Sequence, residues 1–158
     1  MRNLGVWIEI GGLQTYVGRI IGENEEDARF SYAEEYLSGN MARPISIHLP
    51  LSENAFSVDD TRNFFEGLLP EGFTRRCVDG LLHTDADNYL SLLAGLGNEC
   101  LGAIRITDEN NEVVNADYQK LTIDEVSQLA REGAMETAEL VTKSHLSLTG
   151  ASGKVGLY

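Results

Sequence analysis

The first third of the chain alternates between apolar and polar positions. Residues 4–10 carry Val6, Trp7 and Ile8 in a weak period-two pattern, which predicts a strand. Gly11-Gly12 is a two-residue hairpin signal, and residues 13–21 read as the return strand. The acidic run Glu23-Asn24-Glu25-Glu26-Asp27 reads as a solvated turn, and residues 28–32 as a third strand. Links this short favour antiparallel pairing of all three. Residues 33–37 read as a short helical segment stopped by Ser38-Gly39-Asn40. Residues 44–50 alternate again. Pro44 and Pro50 at their ends suit a short or edge strand, with His48 packed among apolar neighbours.

The period then becomes helical. Asp59 or Asp60 can cap a helix whose apolar face is Phe64, Phe65, Leu68 and Leu69, with Pro70 ending it. Glu71-Gly72 opens a second helix, with Phe73, Cys77, Leu81 and Leu82 inward. Asp85 or Asp87 caps a third, with Tyr89, Leu92, Leu93 and Leu96 inward and Gly95 and Gly97 closing it. Residues 100–107 return to strand character, 108–111 read as a turn, and 112–114 as a strand pairing back. A helix is expected from Thr122 or Asp124 to Arg131, with Val126, Leu129 and Ala130 inward; 133–142 fit a continued helix or a loop. Strands, then helices, then strands make an α+β fold: an N-terminal antiparallel sheet, a central helical cluster, and further strands leading to a glycine loop.

A length of 158 residues suits one domain with a single core. The net charge of −13 argues against direct nucleic-acid binding, which relies on Lys and Arg neutralising phosphates. No apolar run approaches the roughly 20 residues of a bilayer span, and the N-terminus lacks the apolar core of a signal peptide. A soluble cytoplasmic protein with no membrane contact is expected. Cys77 and Cys100 lack metal-ligand spacing and read as reduced thiols, while His48, His83 and His145 are scattered.

The chemistry concentrates at the end of the chain. Residues 146–158 read as strand, glycine turn, strand, with Gly150, Ala151, Ser152, Gly153 and Lys154 in the turn. Small residues let backbone N–H groups approach a polyphosphate, and a lysine adds a point charge for it. The Walker pattern does not fit: Leu148 stands where its first glycine belongs and Val155 where its hydroxyl belongs. A strand–loop–strand over phosphates is the device of a kinase, while a plain hairpin accounts for Gly150, Gly153 and Lys154 equally well on the residues alone.

The stretch from Ser147 through Leu148, Thr149, Gly150, Ala151, Ser152 and Gly153 to Lys154 resembles the S-x-x-G-A-x-x-K loop of the HipA-type bacterial serine/threonine kinases. Three upstream stretches agree in the same order: Ala42-Arg43-Pro44-Ile45-Ser46, Phe64-Phe65 followed by Leu68-Leu69-Pro70, and Leu92-Leu93 followed by Leu96-Gly97 and Gly102-Ala103. Ser152 and Gly153 depart from the glutamine and the acidic or polar residue usual in the family.

The resemblance implies a single N-terminal kinase domain over 1–158. Residues 1–107 would be its N-terminal subdomain, and 108–158 the start of the nucleotide-binding part, with the loop at 147–156. It implies that Thr149, Gly150, Ala151, Ser152, Gly153 and Lys154 contact ATP, and that Ser147 is a site of inactivating autophosphorylation. Magnesium would be bound with ATP, but no residue here matches the family's catalytic aspartate or metal ligands, so the isolated chain is expected to be inactive. The family is the toxin half of type II toxin–antitoxin systems linked to persistence. The implied partners are a helix-turn-helix antitoxin, through which alone DNA would be reached, a C-terminal kinase lobe in cis or trans, and a protein substrate. Several members act on an aminoacyl-tRNA synthetase. The alternative is a stand-alone, non-catalytic module that binds and regulates a separate kinase body.

Overall fold

A computed structural model of the chain describes residues 1–10, 13–83, 88–96, 100–101, 103–108, 122–124 and 126–127. Five strands form one antiparallel sheet: β1 (Arg2–Ile10), β2 (Leu13–Gly22), β3 (Arg29–Tyr32), β4 (Cys100–Leu101) and β5 (Ile104–Asp108). Their order across the sheet is β3-β2-β1-β5-β4. Four helices complete the described fold: α1 (Glu34–Leu37), α2 (Val58–Glu66), α3 (Gly72–Leu82) and α4 (Tyr89–Leu96). This is the α+β fold that the sequence predicts. Among the described residues no helix is long and apolar enough to cross a membrane.

Alternation sorts the sheet into two faces. Leu4 and Val6 of β1, Ile20 of β2, Phe30 and Tyr32 of β3, and Ile104 and Ile106 of β5 are buried in one core with Phe65, Leu69, Val78 and the α4 residues Tyr89, Leu90, Leu92, Leu93 and Leu96. The opposite face carries Trp7, whose indole N–H donates to the Thr107 hydroxyl at 3.0 Å and whose ring meets Tyr16 edge-on, centroids 5.0 Å apart. A bulge lies between Val6 and Trp7, which pair with Gly18 and Tyr16 and leave Val17 as the extra residue. Gly18 must be glycine, because a Cβ there would run into the Ser31 carbonyl of the adjacent strand.

The outer edge of β3 is closed by its neighbours. Phe30 N–H donates to the Thr61 hydroxyl of α2 at 3.0 Å, and Phe30 C=O accepts from Phe56 N–H at 2.9 Å. Thr61 in turn donates to the Ser57 carbonyl at 2.8 Å. An edge strand's free backbone groups are thereby satisfied, which also removes a template for unwanted pairing.

Several expectations need correcting. Residues 44–50 are a turn-rich loop, not an edge strand, and His48 is exposed. The cap of α2 is Ser57: its hydroxyl accepts from Asp60 N–H at 3.0 Å and donates to the Asp60 carboxylate at 2.6 Å. Asp60, three positions on, supplies both the N–H and the carboxylate that the Ser57 hydroxyl engages, and is not itself the cap. Helix α2 ends at Glu66, with Gly67 as its C-cap, before Pro70 is reached. Asn88 performs the capping of α4, its side-chain oxygen accepting from Leu90 and Ser91 N–H at 3.2 and 3.3 Å. The expected strand over 100–107 is a hairpin, β4 pairing with β5 through Cys100↔Arg105 and Leu101↔Ile104.

The three-stranded start fits the reading, with Ile10 opposite Leu13; the Gly11-Gly12 turn itself, like Asp85, Asp87 and Gly97, lies outside the described residues. Outside them too are the side chains of Phe73, Cys77, Leu81, Leu82 and Cys100. Helical backbone occurs within 122–127, where Val126 N–H donates to Thr122 C=O at 3.0 Å.

Candidate functional site

The residues expected to grip ATP, Thr149, Gly150, Ala151, Ser152, Gly153 and Lys154, lie outside the described residues, as does Ser147. The structure does describe the first two upstream motif segments and, of the third, Leu92, Leu93, Leu96 and the backbone of Ala103.

The first is the loop carrying Ala42 to Ser46. Two tyrosines projecting from β3 and α1 pin it. The Tyr32 hydroxyl accepts from Ile45 N–H at 3.0 Å and donates to Leu49 C=O at 2.6 Å. The Tyr36 hydroxyl accepts from Arg43 N–H at 3.1 Å and donates to Arg43 C=O at 2.8 Å. The two rings stack with centroids 5.9 Å apart. Burial raises the Tyr32 pKa, opposed by the hydrogen bond from Ile45. Between these clamps, Leu49 N–H donates to Ser46 C=O at 3.1 Å, closing a tight turn with Ile47 and His48 at its corners. Leu49 is fully buried, whereas Ile47 is 87% exposed.

The second and third segments serve the core. Phe65 and Leu69 are buried, with Phe64 and Leu68 packed against them, and Leu92, Leu93 and Leu96 are buried from α4. These positions explain the F-F-x-x-L-L-P and L-L patterns as packing.

A polar cluster lies along α2. Glu66 accepts from Arg62 at 2.8 Å and from Arg75 of α3 at 2.9 Å, and Arg62 also reaches Glu25 in the acidic turn at 3.7 Å. Burial works against ionisation of Glu66, but the hydrogen bonds from Arg62 and Arg75 outweigh it and hold the carboxyl below its usual range. The Tyr89 hydroxyl is buried in the same neighbourhood without a hydrogen-bond partner among the described residues, and its pKa is pushed up to about 12, mainly by burial. The turn itself is ordered by Asp27, whose carboxylate accepts from Glu23 and Asn24 N–H at 2.8 and 3.0 Å. Among the described residues no group of three or more His, Cys, Asp or Glu could hold a metal ion. The cluster ties turn and helices together and presents no assembled acid–base pair.

Sequence reasoning missed the pinned turn. Its alternation is real, but it arises because buried Leu49 neighbours exposed Ile47 and His48 in a turn. A usable signal was present: no Asp or Glu occurs from Tyr36 to Ser52 in a chain of net charge −13.

A family model described as the HipA N-terminal domain matches residues 8–107. The Putative kinase Y4mE of Sinorhizobium fredii (strain NBRC 101917 / NGR234) is 32% identical over 168 residues, which is 99% of this chain and 38% of that protein. An uncharacterized protein of Haemophilus influenzae (strain ATCC 51907 / DSM 11121 / KW20 / Rd) is 30% identical over 95 residues, 58% of this chain and 86% of that protein. The chain thus spans well under half the length of the Sinorhizobium relative.

Proposed function

The chain belongs to the HipA N-terminal domain family, and on that premise we propose that it is the N-terminal portion of a toxin serine/threonine protein kinase. One observation supports this above the others. The similarity to the Sinorhizobium relative, a protein named Putative kinase Y4mE, covers 99% of the chain, past residue 107 where the family match stops and on toward the glycine-rich segment. In this reading residues 1–107 are the N-terminal subdomain and 108–158 begin the nucleotide-binding part.

Thr149, Gly150, Ala151, Ser152, Gly153 and Lys154 would cradle the ATP phosphates. The small side chains suit close approach of backbone N–H groups, and Lys154 suits a phosphate oxygen as a point charge. ATP with magnesium supplies the transferable phosphoryl group and part of the charge neutralisation. No residue of this chain is assigned as general base or metal ligand, so those roles fall to a kinase body beyond it. The intact enzyme would phosphorylate a serine or threonine of a protein, an aminoacyl-tRNA synthetase being the substrate class the family suggests. A helix-turn-helix antitoxin would neutralise it and provide any link to DNA.

A second reading has an observation of its own. A match of only 95 residues covers 86% of the Haemophilus protein, so a domain of this kind also occurs as a short polypeptide. This chain would then be a non-catalytic module regulating a separate kinase body.

Ser147 provides the test. Phosphorylated there, the chain would carry about −1.5 to −2 charge beside the ATP phosphates and repel them. In the assembly of chain and kinase body, ATP should place phosphate mainly on Ser147, and the isolated chain should incorporate none. Mass spectrometry that finds the modification chiefly on Ser144, Thr149 or Ser152 would contradict the assignment.

A further inference from the structure

We propose that the tyrosine-pinned turn at residues 41–51 is the knob by which this domain seats on a kinase body, on the same polypeptide or another; this rests on the kinase reading above. Among the described residues, seven large hydrophobic side chains are exposed, and three of them, Met41, Ile47 and Leu51, lie within this one segment. Met41 is 59% and Ile47 87% exposed. Three exposed apolar side chains within eleven residues of sequence set this segment apart from single exposed ones, which need no explanation.

The segment is also held in place. Two buried tyrosine hydroxyls make four hydrogen bonds to the backbone of Arg43, Ile45 and Leu49. A turn fixed in this way loses little conformational freedom on binding, so its apolar contact is available for affinity. Charge points the same way. Arg43 is the single formally charged side chain from Tyr36 to Ser52, in a chain of net charge −13. The matching surface is an apolar pocket for Ile47 with an acidic group at its rim for Arg43.

The occupant follows from the relatives' lengths. The Sinorhizobium relative continues well beyond the 38% that this chain matches, and the Haemophilus protein has little beyond its match. What is common to a linked and an unlinked form of the domain is a surface that can seat without relying on the chain connection.

Hydroxyl-radical footprinting of the isolated chain and of the native assembly with its kinase body, read by mass spectrometry, tests this. Oxidation of Met41, Ile47 and Leu51 should fall severalfold in the assembly. Leu13, 72% exposed at the β1–β2 hairpin, should be unchanged. Ile47→Asp should weaken seating by about tenfold or more and return Met41 to its free oxidation rate. Its unchanged melting midpoint in the isolated chain would show that the fold is intact. Equal oxidation of Met41 in both states overturns the knob while leaving the kinase reading in place. Protection that grows with concentration of the isolated chain makes a second copy the occupant and overturns the proposal. If no kinase body joins the chain at all, the kinase reading falls first and the knob with it.

Discussion

Tyr32 and Tyr89 are both buried tyrosines of this core, yet their hydroxyls have opposite meanings. Tyr32 uses its oxygen twice, on Ile45 N–H and on Leu49 C=O. Tyr32→Phe would leave two backbone groups without partners and should destabilise the fold by about 1–3 kcal/mol. The Tyr89 hydroxyl has no partner among the described residues, so Tyr89→Phe removes an uncompensated buried dipole and should be neutral or stabilise by about 1 kcal/mol. Urea unfolding of the two variants separates them, and equal losses would refute the hydrogen-bond accounting. Neither role could be read from residue type, because both tyrosines sit in apolar surroundings in the sequence. Ile47 was hidden for a similar reason: period-two alternation describes a strand and a pinned turn equally well over a few residues.

The elements themselves were readable where their periodicity runs long. The three opening strands and the inward residues of α4 stand where alternation and helical spacing put them, and Phe64 and Phe65 pack inward from α2, whereas Leu68 and Leu69 do so from the turn beyond its end. Caps were less readable. Asp59, Asp60 and Ser57 are all competent N-caps, and only the backbone path decides that Ser57 is used. The hairpin of β4 and β5 was missed because two short strands in succession look like one. Packing between elements adds what no single segment shows, such as Thr61 closing the β3 edge. Thr61→Val keeps the shape and deletes the acceptor for Phe30 N–H, so it should cost about 1–3 kcal/mol, again by urea unfolding. Glu66 joins α2 to α3 through Arg75, and its folded-state pKa lies below the ordinary value of 4.5. A depressed carboxylate stabilises above its unfolded pKa and loses that contribution as pH falls through its folded value. The melting midpoint should therefore drop below about pH 4.5, and less steeply in Glu66→Gln. A variant with the same acid profile as the parent would show that the pair does not contribute.

At the scale of the whole molecule, a described sheet-and-helix body precedes a glycine-rich segment that carries the proposed chemistry. The body was largely predictable from its patterning, and the family from four ordered motifs spread along the chain. The loop's geometry was not, since Ser152 and Gly153 depart from the family pattern and the segment lies outside the described residues. In the proposed reading the body would seat and present that loop. The central claim is that Lys154 and its neighbours hold ATP for phosphoryl transfer. Its most direct test is transfer from labelled ATP with magnesium by the assembly of chain and kinase body, with and without Lys154→Ala. The account predicts transfer by the parent assembly and a loss of about a hundredfold or more in the variant, the order found for removal of one preorganised charge-stabilising group. Undiminished transfer by Lys154→Ala would contradict it.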